Sequence, residues 1–492
     1  MSKHHFLYSN PEDVQVSSKK ILQFIENLEL AQLEPHGLIM VRHSRIFCEG
    51  FWQPFSPALI HGMQSLSKTY TATAIGLAIA DNLLSLDTKI TELFPDYCKY
   101  IVDSQMYEIT IRHLLTMSVG FSKISDFEGD WMENFFSSHI IHKPGTHFDY
   151  NSVCSTLLGA IIQKITGMNL QQYLSSRLCP RIGLDKDTMK WLCLSDGLEI
   201  GGSGLYTTMY NNLSLALLYL CGGVVNGERI LPEEYVSSAT TRQIDNGNFS
   251  DDHTSGYGFQ MWMCHHKNAY RMDGAMGQFV IMLPDEDMVI LYTGTLKNGE
   301  GDKHFFQILW DFVDHAFIDK NEGTDGKSAD LLRNRVTRLA LPMPKPNGIV
   351  YQTFKGIYHI TEGLLHIEPL TGGIMQSYYP PHPLDGFEIS FDVDECRLTL
   401  IYRDCNTVIY AGMDGIPRFN RVHYSPYPVE KLLCSAIFPD SSSIEFHFRW
   451  VETCFSFILQ MELSDNYLLI RKKYPIINPE LSNNLYAKAE RI

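Results

Sequence analysis

The spacing of hydrophobic residues predicts that helices and strands alternate through the first two thirds of the chain. Long apolar runs without proline, such as Thr71 to Leu86, have the composition of buried helices. Shorter apolar runs, such as residues 278–283, are typical of strands. On this basis we predict helices at residues 15–32, 71–86, 109–120, 153–165, 211–220 and 304–317, another after Pro232, and strands at 37–43, 46–51, 256–262, 278–283 and 288–293.

The last third of the chain has a different pattern, in which short strands follow one another without helical runs. The five strands of the first part predict an antiparallel sheet with helices packed on it, an α+β fold. From about residue 347 we expect a smaller all-β domain, a barrel or a sandwich. Its clearest strands are predicted at residues 356–360, 397–402, 444–448 and 455–459.

A change in composition marks the expected domain boundary. Residues 321–328 are polar and glycine-rich, and Pro342 to Pro346 brings three prolines in five residues. We therefore predict one domain at 1–320, a linker at 321–346 and a second domain at 347–492. The glycines near Ser328 do not form a phosphate loop, because Asn321 stands where that motif needs glycine.

Composition narrows the classes of partner. The formal net charge of −16 argues against a nucleic acid or an anionic membrane surface. Eleven cysteines without a CxxC pair favour reduced thiols in the cytoplasm, and neither a signal peptide nor a membrane-spanning run is visible. His139, His142 and His147 lack metal-ligand spacing, so we expect no metal and no cofactor.

One four-residue pattern, Ser65-x-x-Lys68, opens the helix that contains Thr71 to Leu86. Residues i and i+3 of a helix share one face, so the hydroxyl and the amine are expected to be close. A serine becomes a strong nucleophile when a base takes its proton, and a lysine can be that base if burial lowers its pKa. A capping serine beside a surface lysine is the alternative. The same pattern from Ser17 to Lys20 lies in polar sequence and is interpreted as a solvated face.

A second candidate segment, residues 143–152, precedes the helix predicted at 153–165. Its Pro-Gly turn places Tyr150 and Ser152 in a loop or at the start of that helix, which Gly167 would end. A tyrosine in this place could carry protons beside Lys68. An ordinary half-buried aromatic residue is the other interpretation.

Together these segments resemble the serine β-lactamase and penicillin-binding-protein superfamily, and within it the class C β-lactamase-related hydrolases and esterases. The resemblance covers about residues 30–320 and implies an antiparallel sheet flanked by helices, with a helical subdomain. It rests on an ordered set of matches: Ser65-Leu66-Ser67-Lys68, Ile111 to Gly120, Phe148 to Ser152, Leu157 to Gly167, Ser203-Gly204-Leu205, Gly256 to Gln260 and Asp273 to Gln278.

The resemblance also implies a mechanism. Ser65 attacks a carbonyl and forms an acyl-enzyme that water hydrolyses, while Lys68 and Tyr150 share the acid and base work. The backbone N–H of Ser65 and one near Ala275 would form the oxyanion hole. The implied partner is a small-molecule or short peptide substrate, and a homo-oligomer is left open. The residues expected to bind the oxyanion or the substrate are Ser152, Asp273, Gly274 and Ala275.

Two motifs depart from the family pattern. The second motif usually reads Tyr-x-Asn, whereas this chain has a serine at position 152. The third motif usually carries lysine or histidine, whereas this chain reads Arg271-Met272-Asp273-Gly274-Ala275, and only Arg271 could supply the charge locally. Because Asp273 would repel a substrate carboxylate, we expect weak activity on β-lactams and D-peptides and a better fit for an ester, an amide or an amine.

Two functions from different classes therefore remain. The first is a serine hydrolase that acts through a Ser65 acyl-enzyme. The second is a hydrolase-like binding or regulatory protein whose chemistry is weakened by the altered third motif. Retention of Ser65, Lys68 and Tyr150 favours the hydrolase, because a binding protein does not need all three.

Overall fold

Two compact units make up the chain in the computed structural model, which describes residues 6–121, 129–297, 299–318, 326–368, 382–424, 427–477 and 486–492. The first unit comprises Met1–Gly294 and Gly299–Leu339, and the second comprises Thr295–Asn298 and Ala340–Ile492. Their shared boundary between Leu339 and Ala340 falls inside the range predicted to be a linker, 321–346.

The described helices all lie in the first unit and are α1 Ser18–Leu30, α2 Ser67–Ala80, α3 Ile90–Leu93, α4 Ile111–Leu115, α5 Trp131–Phe136, α6 Ser152–Thr166, α7 Leu170–Arg177, α8 Cys179–Ile182, α9 Met209–Leu220, α10 Glu233–Ala239, α11 Glu300–His315 and α12 Gly326–Val336. Shorter 3₁₀ turns lie at Pro11–Val14, Gln64–Leu66, Pro95–Tyr100, Ser104–Glu108, Lys186–Thr188 and Gln352–Phe354.

The strands of the first unit are β1 Leu7–Tyr8, β2 Glu34–Arg42, β3 Arg45–Phe51, β4 His61–Gly62, β5 Lys190–Trp191, β6 Leu205–Thr207, β7 Val224–Val225, β8 Glu228–Arg229, β9 Trp262–Met263, β10 Tyr270–Gly274, β11 Gln278–Leu283 and β12 Met288–Thr295, whose last residue belongs to the second unit. The strands of the second unit are β13 Gly356–Gly363, β14 Gly386–Phe391, β15 Glu395–Ile401, β16 Asn406–Gly412, β17 Arg418–Arg421, β18 Lys431–Asp440, β19 Ser443–Trp450, β20 Ser456–Ser464, β21 Tyr467–Lys473 and β22 Ala487–Arg491.

A seven-stranded sheet in the order β1-β3-β2-β12-β11-β10-β9 forms the centre of the first unit. Strands β2 and β3 are antiparallel, as are β12, β11, β10 and β9 in succession, and only the two-residue β1 is described as parallel to its neighbour. Helix α1 packs on β2 and α11, where the rings of Phe24 and Phe312 lie 5.0 Å apart. Helix α9 packs on β11, and α2 packs on α6 and α7. This arrangement confirms the α+β prediction of a sheet flanked by helices.

Three element predictions were wrong in extent. The helix predicted at 109–120 is limited to α4, Ile111–Leu115, since Met117 adopts a left-handed φ of 55°. Residues 256–262 do not form a strand, because Gly256 and Gln260 have φ values of 107° and 56°, which turn the backbone away from an extended path. Only Trp262 and Met263 enter the sheet, as β9. Helix α2 ends at Ala80 and not at Leu86, since Asn82 adopts a left-handed φ of 56°.

The predicted linker contains the helix α12. Residues 321–325 lie outside the described part of the chain, but Gly326–Val336 is helical and packs against α1 and β3. Leu332 is buried, and Arg335 pairs with Glu29 of α1. The polar composition of this segment therefore reflects a surface helix with one narrow buried face.

The second unit confirms the predicted all-β domain and identifies it as a barrel. Its strands follow the order β16-β15-β14-β13-β22-β21-β20-β19-β18-β17, and β16 also pairs with β18. That extra pairing closes a ring of nine strands and leaves β17 attached to the outside of β18. Buried residues alternate along several of these strands, as in the β19 row of Ile444, Phe446, Phe448 and Trp450.

Candidate active site

Ser65 lies in a tight turn between β4 and α2. The preceding residue, Gln64, is buried and has a φ of 51°, a left-handed conformation that costs free energy for a non-glycine residue. Ser67 holds this turn, because its hydroxyl donates to the Gln64 carbonyl at 2.6 Å and accepts from the Leu205 N–H at 3.0 Å. The turn leaves Ser65 only partly buried, in contrast to the fully buried residues of α2 that follow it.

The amine of Lys68 is the centre of the site. It donates to the Ser65 hydroxyl at 3.0 Å, to the Ser152 hydroxyl at 3.0 Å and to the Gly202 carbonyl at 2.6 Å. Lys68 is only 1% exposed, and this burial lowers its pKa to about 7, against smaller opposing effects of Asp273 and Cys154. A substantial share of Lys68 is therefore a neutral amine at neutral pH.

The partners of Lys68 determine where its lone pair can act. A carbonyl oxygen such as that of Gly202 only accepts hydrogen bonds, so one amine N–H must remain directed at it. A neutral amine has a second N–H and one lone pair left for Ser65 and Ser152, and either hydroxyl can donate to it. This arrangement allows Lys68 to take the Ser65 proton without moving.

Tyr150 covers the other side of this amine. The Lys68 ammonium lies 4.8 Å from the centre of the Tyr150 ring. Burial raises the pKa of Tyr150 well above its usual value, while hydrogen bonding to Ser65 and Trp262 acts in the opposite direction. Tyr150 thus holds its proton at neutral pH and can donate it. The structure brings Ser65, Lys68 and Tyr150 together, as the sequence led us to expect.

Ser152 lies beside Lys68 as the first residue of α6. The residue before it, Asn151, caps this helix, because its side-chain oxygen accepts from the Val153 N–H at 2.8 Å. The expectation for Ser152 was a contact with the oxyanion or the substrate. Its hydroxyl accepts a hydrogen bond from the Lys68 amine, and its contact with the oxyanion or the substrate stays a prediction.

Gly202 is a site residue that the sequence did not single out. A Cβ at this position would lie 2.7 Å from the Ser152 carbonyl oxygen, so only glycine lets the loop reach α6 and Lys68. The available signal was the glycine-rich run from Gly201 to Gly204, which leads into the Ser203-Gly204-Leu205 match.

The third motif lies on β10, next to the Ser65 turn. A Cβ on Gly274 would meet the Met63 carbonyl oxygen at 2.2 Å, which shows how closely this strand approaches the Ser65 turn. Ala275 follows at the exposed end of the strand. Arg271 is fully buried and donates to the Asp273 carboxylate at 2.7 Å and to the Asp252 carbonyl at 2.7 Å. The charge of Arg271 is therefore compensated inside the protein by Asp273.

Within the described ranges, no three His, Cys, Asp or Glu side chains lie close enough to hold a metal ion. The rings of His142 and His147 stack at 4.0 Å, outside any such group. None of the helices that the structure describes has the length and hydropathy needed to cross a bilayer.

Several known proteins are similar to this chain. The 6-aminohexanoate-dimer hydrolase of Paenarthrobacter ureafaciens is 21% identical over 283 residues, which cover 52% of this chain and 71% of that protein. Protein flp of Staphylococcus aureus strain MW2 is 26% identical over 193 residues, but only 39% of its length is matched. The solved structure of EstCE1, a hydrolase with promiscuous acyltransferase activity, has the same fold, with a TM-score of 0.50, 16% identity and coverage of 60% of this chain and 98% of its own.

The family model for beta-lactamase matches residues 38–311, more than half of the chain. That range contains the Ser65 turn, the α6 segment and the β10 motif. The chain belongs to the beta-lactamase family.

Proposed function

We propose that this protein is a serine hydrolase that cleaves a small ester, amide or modified peptide through an acyl-enzyme on Ser65. The observation that supports it most is the 3.0 Å hydrogen bond between Ser65 and Lys68, a buried lysine whose pKa is lowered to about 7. Such an amine is a base of the strength that serine activation requires at neutral pH. The similarity to the 6-aminohexanoate-dimer hydrolase of P. ureafaciens also supports hydrolysis.

The reaction proceeds in two halves. Neutral Lys68 takes the Ser65 proton as the serine oxygen bonds to the substrate carbonyl carbon, and the backbone N–H groups of Ser65 and Ala275 stabilise the oxyanion. Tyr150 gives its proton to the leaving group as the bond to that group breaks, and regains a proton from Lys68. Water then attacks the acyl carbon while neutral Lys68 takes one of its protons, and the bond from Ser65 to the acyl carbon breaks as Lys68 passes that proton to the Ser65 oxygen.

The substrate class follows from the charges near Ser65. The Arg271 guanidinium is buried and paired with Asp273, and Met272 between them carries no charge. The third motif therefore offers no cation of its own to a substrate carboxylate. We accordingly propose esters, amides or amine-bearing substrates in preference to β-lactams, which carry such a carboxylate.

The test is intact-protein mass after incubation with a serine-directed phosphonate, together with turnover of 4-nitrophenyl butyrate. We expect one adduct and measurable turnover, both lost in Ser65→Ala. The matched control is Ser17→Ala, which removes the serine of the other S-x-x-K pattern, an N-cap of α1, and should keep both signals.

Folded protein with no adduct and no turnover would contradict the proposal and favour the binding or regulatory function instead. A penicillin incubated in parallel tests the substrate class. Rapid penicillin hydrolysis would contradict the preference for esters and amides while leaving the role of Ser65 intact.

A further inference from the structure

Two threonines of α2 use their hydroxyl groups differently. Inside a helix, a threonine hydroxyl commonly donates to the carbonyl four residues earlier. Thr73 does so, with a hydrogen bond of 2.7 Å to the Thr69 carbonyl. The hydroxyl of Thr71 lies 3.4 Å from the Ser67 carbonyl but only 2.8 Å from the carbonyl of Gly201. Because a hydroxyl has one proton, and 3.4 Å is long for a hydrogen bond between two oxygens, Thr71 donates to Gly201.

Gly201 and Gly202 form the tip of a tight turn. The backbone N–H groups of the two residues that follow donate to the Ile200 carbonyl at 3.3 and 3.0 Å, and these bonds close the turn. A Cβ on Gly201 would lie 2.6 Å from the Ser155 carbonyl oxygen of α6 and 3.1 Å from the Thr71 hydroxyl of α2. The tip is therefore held between these two helices, in a space that has no room for side chains.

The two carbonyls of the tip are bound by neighbouring residues of α2. Gly201 accepts from Thr71, and Gly202 accepts from Lys68 at 2.6 Å. Thr71 and Lys68 are three positions apart, so they lie on the same face of the helix. Glycine has the greatest backbone freedom of all residues, so the direction of the Gly202 carbonyl depends on how the neighbouring peptide units are anchored.

We propose that Thr71 is a positioning residue for acylation, which fixes the turn on α2 in the place where the Gly202 carbonyl can hold Lys68. That carbonyl then keeps one N–H of the amine, and the lone pair of the neutral amine is left for the Ser65 proton. The inference rests on the proposed hydrolase function. No bond of Thr71 breaks: the Ser65 O–H bond breaks, its proton moves to Lys68, and the serine oxygen bonds to the substrate carbonyl carbon.

Loss of the Thr71 hydroxyl has two consequences for Lys68. The Gly202 carbonyl stabilises the ammonium form more than the neutral amine, because hydrogen bonds from charged groups are stronger. If the carbonyl moves away, the pKa of Lys68 falls below its present value of about 7, and a larger share of the amine is neutral. That amine is nevertheless a poorer base for Ser65, since its N–H groups and lone pair are no longer held in one orientation.

The test is the pH profile of kcat/KM for 4-nitrophenyl butyrate in Thr71→Val, which keeps the shape of the side chain but not the hydroxyl. We expect the plateau at high pH to fall by about tenfold and the midpoint of the rise to move to lower pH by about one pH unit. A smaller amount of folded protein would lower the plateau but leave the midpoint in place, so the midpoint separates positioning from stability.

Thr73→Val is the matched control. It is the same substitution on the same helix and removes a buried hydroxyl that donates to the Thr69 carbonyl, so it should keep the wild-type midpoint. Thr71→Ser keeps the hydroxyl and should return the midpoint and the plateau toward their wild-type values. Should Thr71→Val not fold, Thr71→Cys takes its place, and its weakly donating thiol should shift the midpoint in the same direction to a smaller extent.

Three results in protein that turns over the ester would overturn the inference. They are an unchanged midpoint in Thr71→Val or in the cysteine variant that replaces it, an equal shift in Thr73→Val, and no recovery in Thr71→Ser. Folded wild-type protein without any turnover would contradict the hydrolase function itself, which is a separate outcome.

Discussion

Lys68 has as many hydrogen-bond acceptors as its charged form has N–H groups. Ser65, Ser152 and Gly202 together satisfy an ammonium completely, so the buried cation is tolerated even though burial lowers its pKa to about 7. The same three neighbours remain satisfied when the amine is neutral, because the two hydroxyls can reverse their roles. The site can therefore hold Lys68 in both protonation states with the same geometry.

The pH dependence of acylation follows from this pKa. The ammonium form has no lone pair, so Lys68 is inactive as a base below about pH 7 and active above it. We expect kcat/KM for 4-nitrophenyl butyrate to rise with pH and to level off above an apparent pKa of about 7. A rise centred near the ordinary lysine value of 10.5 would show that Lys68 is not desolvated in solution.

Among the elements, β10 contacts the Ser65 turn most closely. We expect Gly274→Ala to lower kcat by about tenfold or more, since its Cβ would meet the backbone oxygen of Met63 at 2.2 Å and displace either the strand or the turn. The control is Gly326→Ala at the start of α12, where an added Cβ meets nothing within 4 Å. Steady-state kinetics and thermal unfolding of both variants provide the test, and unchanged kcat in folded Gly274→Ala would contradict it.

The local sequence was sufficient to predict an element whose ends are fixed by residues within or next to it. Helix α6 runs from Ser152 to Thr166 and ends at Gly167, whose φ of 71° is the left-handed cap that a glycine predicts. Ser65 and Lys68 were likewise identified because their spacing brings them together within a single turn. In these cases the decisive contacts are only a few residues apart in sequence.

The sequence was insufficient to predict features that depend on tertiary contacts. Helix α12 was expected to be a linker because its composition is polar. Leu332 is buried because this helix packs against α1, a contact that the composition does not predict. Gly202 reaches the site from a loop far along the chain and belongs to no motif with a recognisable spacing. Ser152 was identified, but its contact with Lys68 depends on where α6 begins.

At the scale of the molecule, the barrel has a buried lysine of its own. Lys472 is 3% exposed on an inward row of β21, donates to the His366 carbonyl at 3.0 Å and lies 4.3 Å from the Phe457 ring centre. Burial lowers its pKa to about 7, opposed by Glu368. The titratable side chains around it are His366, Glu368, Tyr474 and Tyr486.

This lysine makes the stability of the barrel depend on pH. Between about pH 7 and its ordinary value of 10.5, the unfolded chain binds the Lys472 proton more tightly than the folded one, so stability rises with pH. The melting temperature of Lys472→Met should be a few degrees higher than that of wild type at pH 7. Between pH 7 and pH 9 it should rise by less than that of wild type. Thermal unfolding of the full chain measures both.

The matched control is Lys473→Met on the same strand, which removes an ion pair with Glu445 at 3.3 Å. Its gain in melting temperature between pH 7 and pH 9 should equal that of wild type. Identical pH slopes in wild type and Lys472→Met would mean that the buried amine does not titrate in this range.

The hydrogen bonds of Lys68 join residues that are 3, 84 and 134 positions apart in sequence. Closing loops of the two larger sizes costs chain entropy before any contact compensates for it, so such contacts form late on a folding pathway. During synthesis, the Lys68 amine cannot form its hydrogen bond to the Gly202 carbonyl until Gly202 has left the ribosome. Under the proposed function, a nascent or misfolded chain would therefore carry Ser65 without the buried Lys68 whose lowered pKa lets it act as a base.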